Sequence, residues 1–362
     1  MVLALWSFGI VISQSCGQTR VSSQIAGLIG ASEDSVRQRL REWCWDKKDK
    51  AGQKRTDFAV DESFAALLKW VLSLWPEEET RLVLAMDATT LKESFAVLAI
   101  SLVYRGCAIP IAWKIMRANQ KKAWKEEWLA LFSKLEAVIP SSWLVIVLAD
   151  RGLYADWLFA RICKNGWHPF LRINQGGKYR LEEGSEFRWL SQVLPAPGRT
   201  WSGKVVCFKN RPLPATLLAS WSEVYQEPWL ILTDLSPDLA EAGWYSMRAW
   251  IECGFKHTKR AGWQWQKTRM TDPERASRLW LALAVATLWA VTVGGEVDAS
   301  FPVSSLENLP VTHIARRSCK NRPHFRRISC FRRGLISILS ALLSNHPLPF
   351  PTFHPVPWPS LE

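Results

Sequence analysis

The fold is decided by residues 81–116, which read RLVLAMDATTLKESFAVLAISLVYRGCAIPIAWKIM. Three apolar runs in this stretch are separated by short polar breaks, and Arg105-Gly106 marks the clearest turn. Runs of this kind, rich in Val, Ile and Leu, predict three consecutive β-strands. The first run ends in Asp87, so the sequence places a carboxylate at or near the end of a buried strand.

The following segments alternate between helix and strand patterns. A helix is predicted over 123–138, and the apolar strand SSWLVIVLAD over 141–150 ends in Asp150. An amphipathic helix over 154–166 is then followed by the strand WHPFLRIN over 167–174. Strands and helices in this order predict an α/β fold, a sheet with flanking helices.

Changes of composition along the chain divide it into five predicted regions. Ser32 is a plausible N-cap within the first of them, and the charged residues 46–56 read as a linker. The regions are a helical N-terminal DNA-binding region (1–56), the first part of an α/β core (57–174), a β-rich insertion (175–228), the second part of the core (229–300) and a basic C-terminal tail (301–362).

The overall charge favours a polyanionic partner. The 362 residues contain 46 Lys and Arg against 33 Asp and Glu, a net charge of +13. A surplus of this size is typical of proteins that bind nucleic acid or an anionic membrane surface. The eight cysteines form no CxxC pair, which argues against a zinc site and against a disulfide framework.

One apolar run is nearly long enough to span a bilayer. Residues 279–295 read LWLALAVATLWAVTVGG. A buried core helix has the same composition, and a single membrane segment leaves the rest of the chain unexplained. We therefore interpret this run as a core helix and expect no membrane association.

The segment WYSMRAWIECGFKHTKRAGW, residues 244–263, carries a charged pattern at helical spacing. Arg248, Glu252 and Lys259 follow Tyr245 at offsets of three, seven and fourteen. In an α-helix these four side chains would lie within roughly 60° of one another, and Lys256 would project close to them. Such a face suits a phosphate, although a solvated helix face with i,i+4 ion pairs has the same pattern.

Three carboxylates are candidates for a shared metal site. Asp87 and Asp150 each end an apolar strand, and Glu252 lies on the predicted helix after the last strand. Oxygen ligands suit Mg²⁺ or Mn²⁺, and two such ions about 4 Å apart can promote phosphoryl transfer. Asp156 and Asp234 are rival carboxylates, since Asp234 also ends an apolar strand.

These residues resemble the signatures of DDE transposases of the IS4 insertion-sequence group. AMDATT surrounds Asp87, LADRGLY surrounds Asp150, and Tyr245, Arg248, Glu252 and Lys259 match the Y-(2)-R-(3)-E-(6)-K spacing of that group. Three signatures in order make the resemblance specific, and it covers roughly residues 80–295.

The resemblance implies an RNase H-like catalytic core with a β-strand insertion between the second Asp and the Glu. It implies that Asp87, Asp150 and Glu252 form a catalytic triad that binds Mg²⁺ or Mn²⁺, as two ions. It also implies that Tyr245, Arg248 and Lys259 contact phosphates of the element ends. Lys256, which projects close to the same helix face, and Arg151 are further predicted DNA contacts. Arg151 and Gly152 belong to the second signature and would shape the turn after Asp150, and the candidates for receiving a flipped base are Trp189, Trp201 and Trp221.

The expected function is cut-and-paste transposition by a homodimer that binds terminal inverted repeats and target DNA, in the cytoplasm with the nucleoid. An RNase H-like nuclease without strand transfer and an inactive DNA-binding derivative stay as alternatives.

Residues 20–45 are consistent with a DNA-binding helix-turn-helix that exposes Arg37, Arg39 and Arg41, or with a plain helical bundle. In the tail, eight cations without acidic neighbours predict DNA contacts: Arg316, Arg317, Lys320, Arg322, Arg326, Arg327, Arg332 and Arg333.

Overall fold

The first three strands form an antiparallel meander, as the sequence predicts. In the computed structural model, which describes residues 1–53, 55–119, 124–223, 225–300 and 328–359, these strands are β1 (Arg81–Leu91), β2 (Phe95–Tyr104) and β3 (Cys107–Arg117). Every residue of β2 is buried, which explains its uninterrupted apolar sequence. Arg105 and Gly106 turn the chain with φ of 46° and 78°, the left-handed conformation that two-residue hairpins require.

Two further strands extend the sheet in parallel with β1. They are β4 (Leu144–Ala149) and β5 (His168–Arg172), and the helices α5 (Lys125–Leu135) and α6 (Asp156–Lys164) precede them. The order β3-β2-β1-β4-β5, with a meander on one side and parallel strands on the other, is the RNase H-like arrangement. Met86 of β1 pairs with Ala149 of β4, so the next residue of each chain segment is a candidate Asp.

The predicted β-rich insertion continues the same sheet. Its strands are β6 (Lys178–Leu181), β7 (Arg188–Trp189), β8 (Arg199–Cys207) and β9 (Leu213–Trp221), and the core strand β10 (Trp229–Thr233) follows. β10 runs antiparallel to both β5 and β9, which joins core and insertion in one ten-stranded sheet. The prediction of an α/β fold with a β-rich insertion is confirmed.

The apolar run near residue 280 lies inside helix α8 (Pro273–Ala299). The helix begins at the N-cap Asp272, whose carboxylate accepts a hydrogen bond from the Arg275 amide. By length and composition α8 could cross a membrane, but 89% of its most apolar window is buried against the rest of the protein. Its contacts with β3 support the interpretation as a core helix.

The N-terminal region is helical, as predicted. It contains α1 (Val2–Ser13), α2 (Gln18–Leu28) and α3 (Glu33–Cys44), and α4 (Phe64–Ser73) follows before the sheet. The Ser32 hydroxyl accepts the Ser35 amide and caps α3. Helices α1 and α3 pack on α8, so this region is joined to the core.

The charged residues after α3 are anchored, although their composition predicts a linker. Asp46 pairs with Arg278 of α8 at 2.7 Å, and Asp49 pairs with Arg275 at 3.0 Å. Because both ion pairs reach the same helix, they hold the segment against the core. Composition shows that such a segment is polar, but it does not show which charges find partners.

The described part of the C-terminal region is packed. Helix α9 (Cys330–Leu343) lies along α8, and Phe353 is buried beyond it. The sequence predicts DNA contacts for the cations of this region because they have no acidic neighbours in the chain, but Arg333 pairs with the buried Asp298 of α8. Arg332 donates a hydrogen bond to Gln14, and the six other predicted DNA contacts of the tail lie outside the described residues.

Candidate active site

The parallel pairing of β1 and β4 brings Asp87 and Asp150 together. One oxygen of each carboxylate is held by nearby backbone: Asp87 Oδ1 accepts from the Ala88 amide at 2.8 Å, and Asp150 Oδ1 accepts from the Gly152 amide at 2.7 Å. The Oδ2 atoms of both residues point to a common neighbour, the guanidinium of Arg248. The prediction that Asp87 ends its strand is wrong, because β1 continues to Leu91. The parallel pairing of β1 with β4 stops at Met86 and Ala149, however, and the two carboxylates that follow converge as expected.

The element that carries Glu252 differs from the continuous α-helix that the spacing predicts. A 3₁₀-helix spans Ala242–Ala249, α7 spans Trp250–Thr258, and Lys259 lies beyond the helical turns. A 3₁₀-helix advances about 120° per residue, so the face calculated for an α-helix does not hold across the junction. The prediction of one shared α-helical face is wrong for Tyr245 and Lys259.

Arg248 lies between the three carboxylates. Its Nη2 is 2.8 Å from Asp87 Oδ2 and 3.3 Å from Asp150 Oδ2, and its Nη1 pairs with Glu252 Oε1. The Arg248 side chain is 12% exposed and those of Asp87 and Glu252 are 20% and 14% exposed, whereas the Asp150 side chain, at 43%, is open to water. Three acidic side chains from three different elements thus meet at one guanidinium, an arrangement that charge-assisted hydrogen bonds stabilise.

Tyr245 has a contact inside the protein. Its side chain is buried, and its hydroxyl donates to the carbonyl of Ala149 at 3.3 Å. Burial raises the pKa of the Tyr245 phenol. Because Ala149 ends β4, this hydrogen bond fixes the strand immediately before Asp150. The predicted contact between Tyr245 and a DNA phosphate stays a prediction.

Lys259 lies near the end of β1. Its Nζ donates to Thr89 Oγ1 at 2.8 Å and to the Thr90 carbonyl at 2.7 Å. Partial burial lowers the pKa of Lys259. Lys256 is exposed on α7, whereas Arg151 pairs with Glu227 at 2.8 Å rather than with the triad.

The rival carboxylates lie away from the cluster. Asp234 follows β10, which runs antiparallel to β5, so it lies at the opposite end of the strands from Asp87. There it pairs with His168 at 3.0 Å. Asp156 accepts a hydrogen bond from the hydroxyl of Tyr154.

A basic cleft adjoins the carboxylates. It has a volume of about 570 Å³, and Asp87 and Glu252 form part of its wall. Two of its cations, Lys92 in the β1–β2 turn and Arg260 after Lys259, were not predicted from the sequence. The sequence indicates their place in the cleft only through their neighbours, since Lys92 closely follows AMDATT and Arg260 directly follows Lys259. The cations that line this cleft, named here the catalytic cleft, are Lys92, Lys256, Lys259 and Arg260.

Comparison with known families gives a match over most of the chain. The family model described as Transposase DDE domain matches residues 78–289, which include all three carboxylates. The chain belongs to the DDE transposase family. A search of curated proteins found no match to this transposase.

The carboxylates suit the metal chemistry of this family, since DDE transposase domains generally use divalent metal ions. Asp87, Asp150 and Glu252 supply the oxygen donors that Mg²⁺ or Mn²⁺ prefers. In the described part of the transposase, no three His, Cys, Asp or Glu side chains have the geometry to hold a metal ion. By chemical type the three carboxylates are thus suitable ligands for such an ion. Their geometry is different, because the Arg248 guanidinium occupies the point between them.

Proposed function

We propose that this transposase is a member of the IS4 group that moves an insertion sequence by metal-dependent cut-and-paste transposition. It cleaves DNA strands at the element ends and joins them to target DNA. The observation that carries the proposal is the convergence of Asp87, Asp150 and Glu252 beside the catalytic cleft, whose wall Asp87 and Glu252 partly form. The IS4 assignment is supported by the spacing of Tyr245, Arg248, Glu252 and Lys259.

In this proposal the three carboxylates hold the metal ions. Mg²⁺ or Mn²⁺, as two ions, would activate a water or a DNA hydroxyl and stabilise the leaving oxygen. The backbone amides of Ala88 and Gly152 orient Asp87 and Asp150, each through one oxygen, which leaves the other oxygen for a cation. The partial burial of Asp87, Arg248 and Glu252 strengthens the electrostatic interactions among them.

The cations of the catalytic cleft bind the DNA backbone. Lys92, Lys256 and Arg260 supply positive charge on the same wall as Asp87 and Glu252. Lys259 positions the end of β1 through Thr89 and Thr90 and adds its charge to the cleft. These contacts would place a phosphodiester against the carboxylates, and positioning is a large share of phosphoryl-transfer catalysis.

The proposal extends to the assembly. Joining two ends of one element needs two active sites, so a homodimer that brings the ends together is expected, acting in the cytoplasm with the nucleoid.

Of the three Trp candidates for a flipped base, Trp189 is exposed, with the ammonium of Lys178 over its ring at 4.4 Å. Trp201 and Trp221 are partly packed, which makes Trp189 the candidate that a base reaches most easily.

The experiment compares Asp87→Asn, Asp150→Asn and Glu252→Gln on DNA that carries the ends flanking the coding region. Each change removes a ligand charge without changing side-chain size, so we expect cleavage and strand transfer to fall by at least about a hundredfold. DNA binding should persist. Asp234→Asn is the matched control, because Asp234 is a strand-end carboxylate that pairs with His168 away from the cluster.

Two results would contradict the proposal. Full activity in any of the three variants would exclude that residue from the triad. Cleavage by the unmodified protein without any joining of ends to a target would instead identify a nuclease.

A further inference from the structure

The position of Arg248 has a consequence for metal binding. Its guanidinium contacts Asp87 Oδ2, Asp150 Oδ2 and Glu252 Oε1, one oxygen from each proposed metal ligand. The other oxygens of Asp87 and Asp150 are already engaged by backbone amides. A cation that binds all three carboxylates through their facing oxygens must therefore use the atoms that Arg248 now uses.

Electrostatics explains why a cation is needed at this point. Three carboxylates held within contact distance of one guanidinium repel one another, and one positive charge balances only part of their charge. Arginine stays protonated at all ordinary pH values, so this counter-charge is permanent. A buried charge that loses its partner is strongly destabilising, and for that reason the guanidinium stays until another cation replaces it.

We propose that Arg248 is the resident counter-cation of the triad and competes with divalent metal ions for the same three oxygens. This inference rests on the proposed function, because it takes the triad as the metal site. Entry of metal displaces the guanidinium from the carboxylates. The nearest suitable acceptor is then a DNA phosphate in the catalytic cleft, since Asp87 and Glu252 belong to both places.

This competition links metal binding to DNA binding. If a phosphate accepts the displaced guanidinium, DNA lowers the cost of metal entry, and metal in turn strengthens DNA binding by the same factor. The DNA-free protein should thus bind metal weakly and bind it more tightly once a duplex is present. Arg248 would then be a positioning residue that couples the two ligands.

The experiment measures Mn²⁺ binding to the 362-residue chain without DNA, by the electron paramagnetic resonance signal of free Mn²⁺. We expect Arg248→Gln to bind Mn²⁺ at least about tenfold more tightly than the unmodified protein, which corresponds to ~1.4 kcal/mol. Arg248→Lys should be intermediate, because an ammonium is a point charge that cannot bridge three carboxylates as a planar fork does. A short duplex should raise the Mn²⁺ affinity of the unmodified protein but not that of Arg248→Gln.

Lys256→Gln is the matched control. It removes the same charge from the wall of the same cleft, but Lys256 makes no ion pair with the triad among the described residues. We expect its Mn²⁺ affinity to change less than about threefold, as screening of an exposed charge predicts. A similar gain in Lys256→Gln and Arg248→Gln would show a general charge effect and overturn the competition.

Other outcomes also decide the matter. Equal Mn²⁺ affinity of the unmodified protein and Arg248→Gln would overturn the proposal, and loss of Mn²⁺ binding in Arg248→Gln would show that Arg248 supports the site. If Arg248→Gln does not fold, an Mn²⁺ affinity of Arg248→Lys equal to that of the unmodified protein would overturn it. The proposed function fails differently: Glu252→Gln and Asp87→Asn would then bind Mn²⁺ as well as the unmodified protein does.

Discussion

Tyr245 is the first residue of the Y-(2)-R-(3)-E-(6)-K spacing, yet its side chain is buried inside the protein. The ring packs against Trp229 with centroids 5.3 Å apart, and the hydroxyl donates to the Ala149 carbonyl. Because the next residue after Ala149 is Asp150, this contact links the 3₁₀-helix that carries Arg248 to the strand that precedes a candidate catalytic carboxylate. The residue thus connects two parts of the candidate site without facing the cleft.

We expect Tyr245→Phe to lower the free energy of unfolding by about 1 kcal/mol, since it removes one buried hydrogen bond and leaves the Ala149 carbonyl without that donor. Its effect on DNA affinity should be small, with an unchanged dependence on salt. Urea unfolding and DNA binding at several salt concentrations would measure both quantities. A salt slope reduced by about one would instead indicate that Tyr245 contacts a phosphate, as the family resemblance implies.

The site residues differ in how far the sequence could predict them. Asp87, Asp150 and Glu252 were predictable because each lies in or directly after a recognisable strand or helix pattern, although β1 continues past Asp87 to Leu91. The position of Arg248 was not, because the spacing gives a helix face but not the strands and helices that meet there. Lys92 and Arg260 were missed for a similar reason: the catalytic cleft is formed by residues distant in sequence.

At the scale of elements, the crossing of α8 and α9 depends on two glycines. A Cβ atom on Gly294 would lie 1.8 Å from the Cys330 carbonyl oxygen, and one on Gly334 would lie 1.7 Å from the Ala290 carbonyl oxygen. These contacts are between backbones, so no side-chain movement can relieve them. The close approach buries Phe331 and Leu335 of α9 against the core.

We expect Gly334→Ala to lower the free energy of unfolding by about 3 kcal/mol, the upper end of the usual cost of overpacking. The C-terminal segment should also become more sensitive to limited proteolysis, because α9 must move away from α8. Gly27→Ala is the control: Gly27 lies within α2, a Cβ there meets nothing within 4 Å, and we expect a gain of about 0.5–1 kcal/mol. Equal stability of the two variants would show that the crossing adapts without cost.

Elements were predicted well where hydrophobic pattern decides them and less well where packing decides them. The strands of the core, the capped helix α3 and the buried helix α8 follow from local pattern. The 3₁₀-helix over Ala242–Ala249 does not, because i,i+3 and i,i+4 spacing look alike in so short a segment. The packing of α9 on the core could not be predicted from its basic composition, because charge alone does not show that Arg333 pairs with Asp298.

At the scale of the whole molecule, a second basic groove lies beside the catalytic cleft. It has a volume of about 690 Å³ and is lined by residues of the α1–α2 connection and of the segment after Lys259. Among the described residues, its lining carries Arg20, Lys267 and Arg269 and no carboxylate. Since Gln264 lines this groove and Gln266 lines the catalytic cleft, the two adjoin across one short segment.

The net charge of +13 predicts an anionic partner but not the path that it takes. The structure reduces the number of candidate DNA contacts, because several cations are already paired within the protein. Arg37 pairs with Asp34, and Arg333 pairs with Asp298. Within the part of the chain that the structure describes, the three cations of the second groove form no such pairs, which leaves their charges for a ligand. A duplex held by both grooves would extend from the carboxylates to the N-terminal helices.

We expect the triple variant Arg20→Gln, Lys267→Gln, Arg269→Gln to bind every duplex more weakly, whatever its sequence, because phosphate contacts carry no sequence information. The slope of log affinity against log salt should fall in magnitude by roughly 0.9 for each phosphate that is no longer neutralised. Lys134→Gln is the control, since it removes a charge from α5, where Lys134 pairs with Asp61. If the triple variant kept the salt slope of the unmodified protein, the DNA beyond the catalytic cleft would have to follow another surface. At saturating DNA the variant should still cleave at the normal rate, because Arg20, Lys267 and Arg269 do not contact the three carboxylates. A slower cleavage step would show that this groove also shapes the active site.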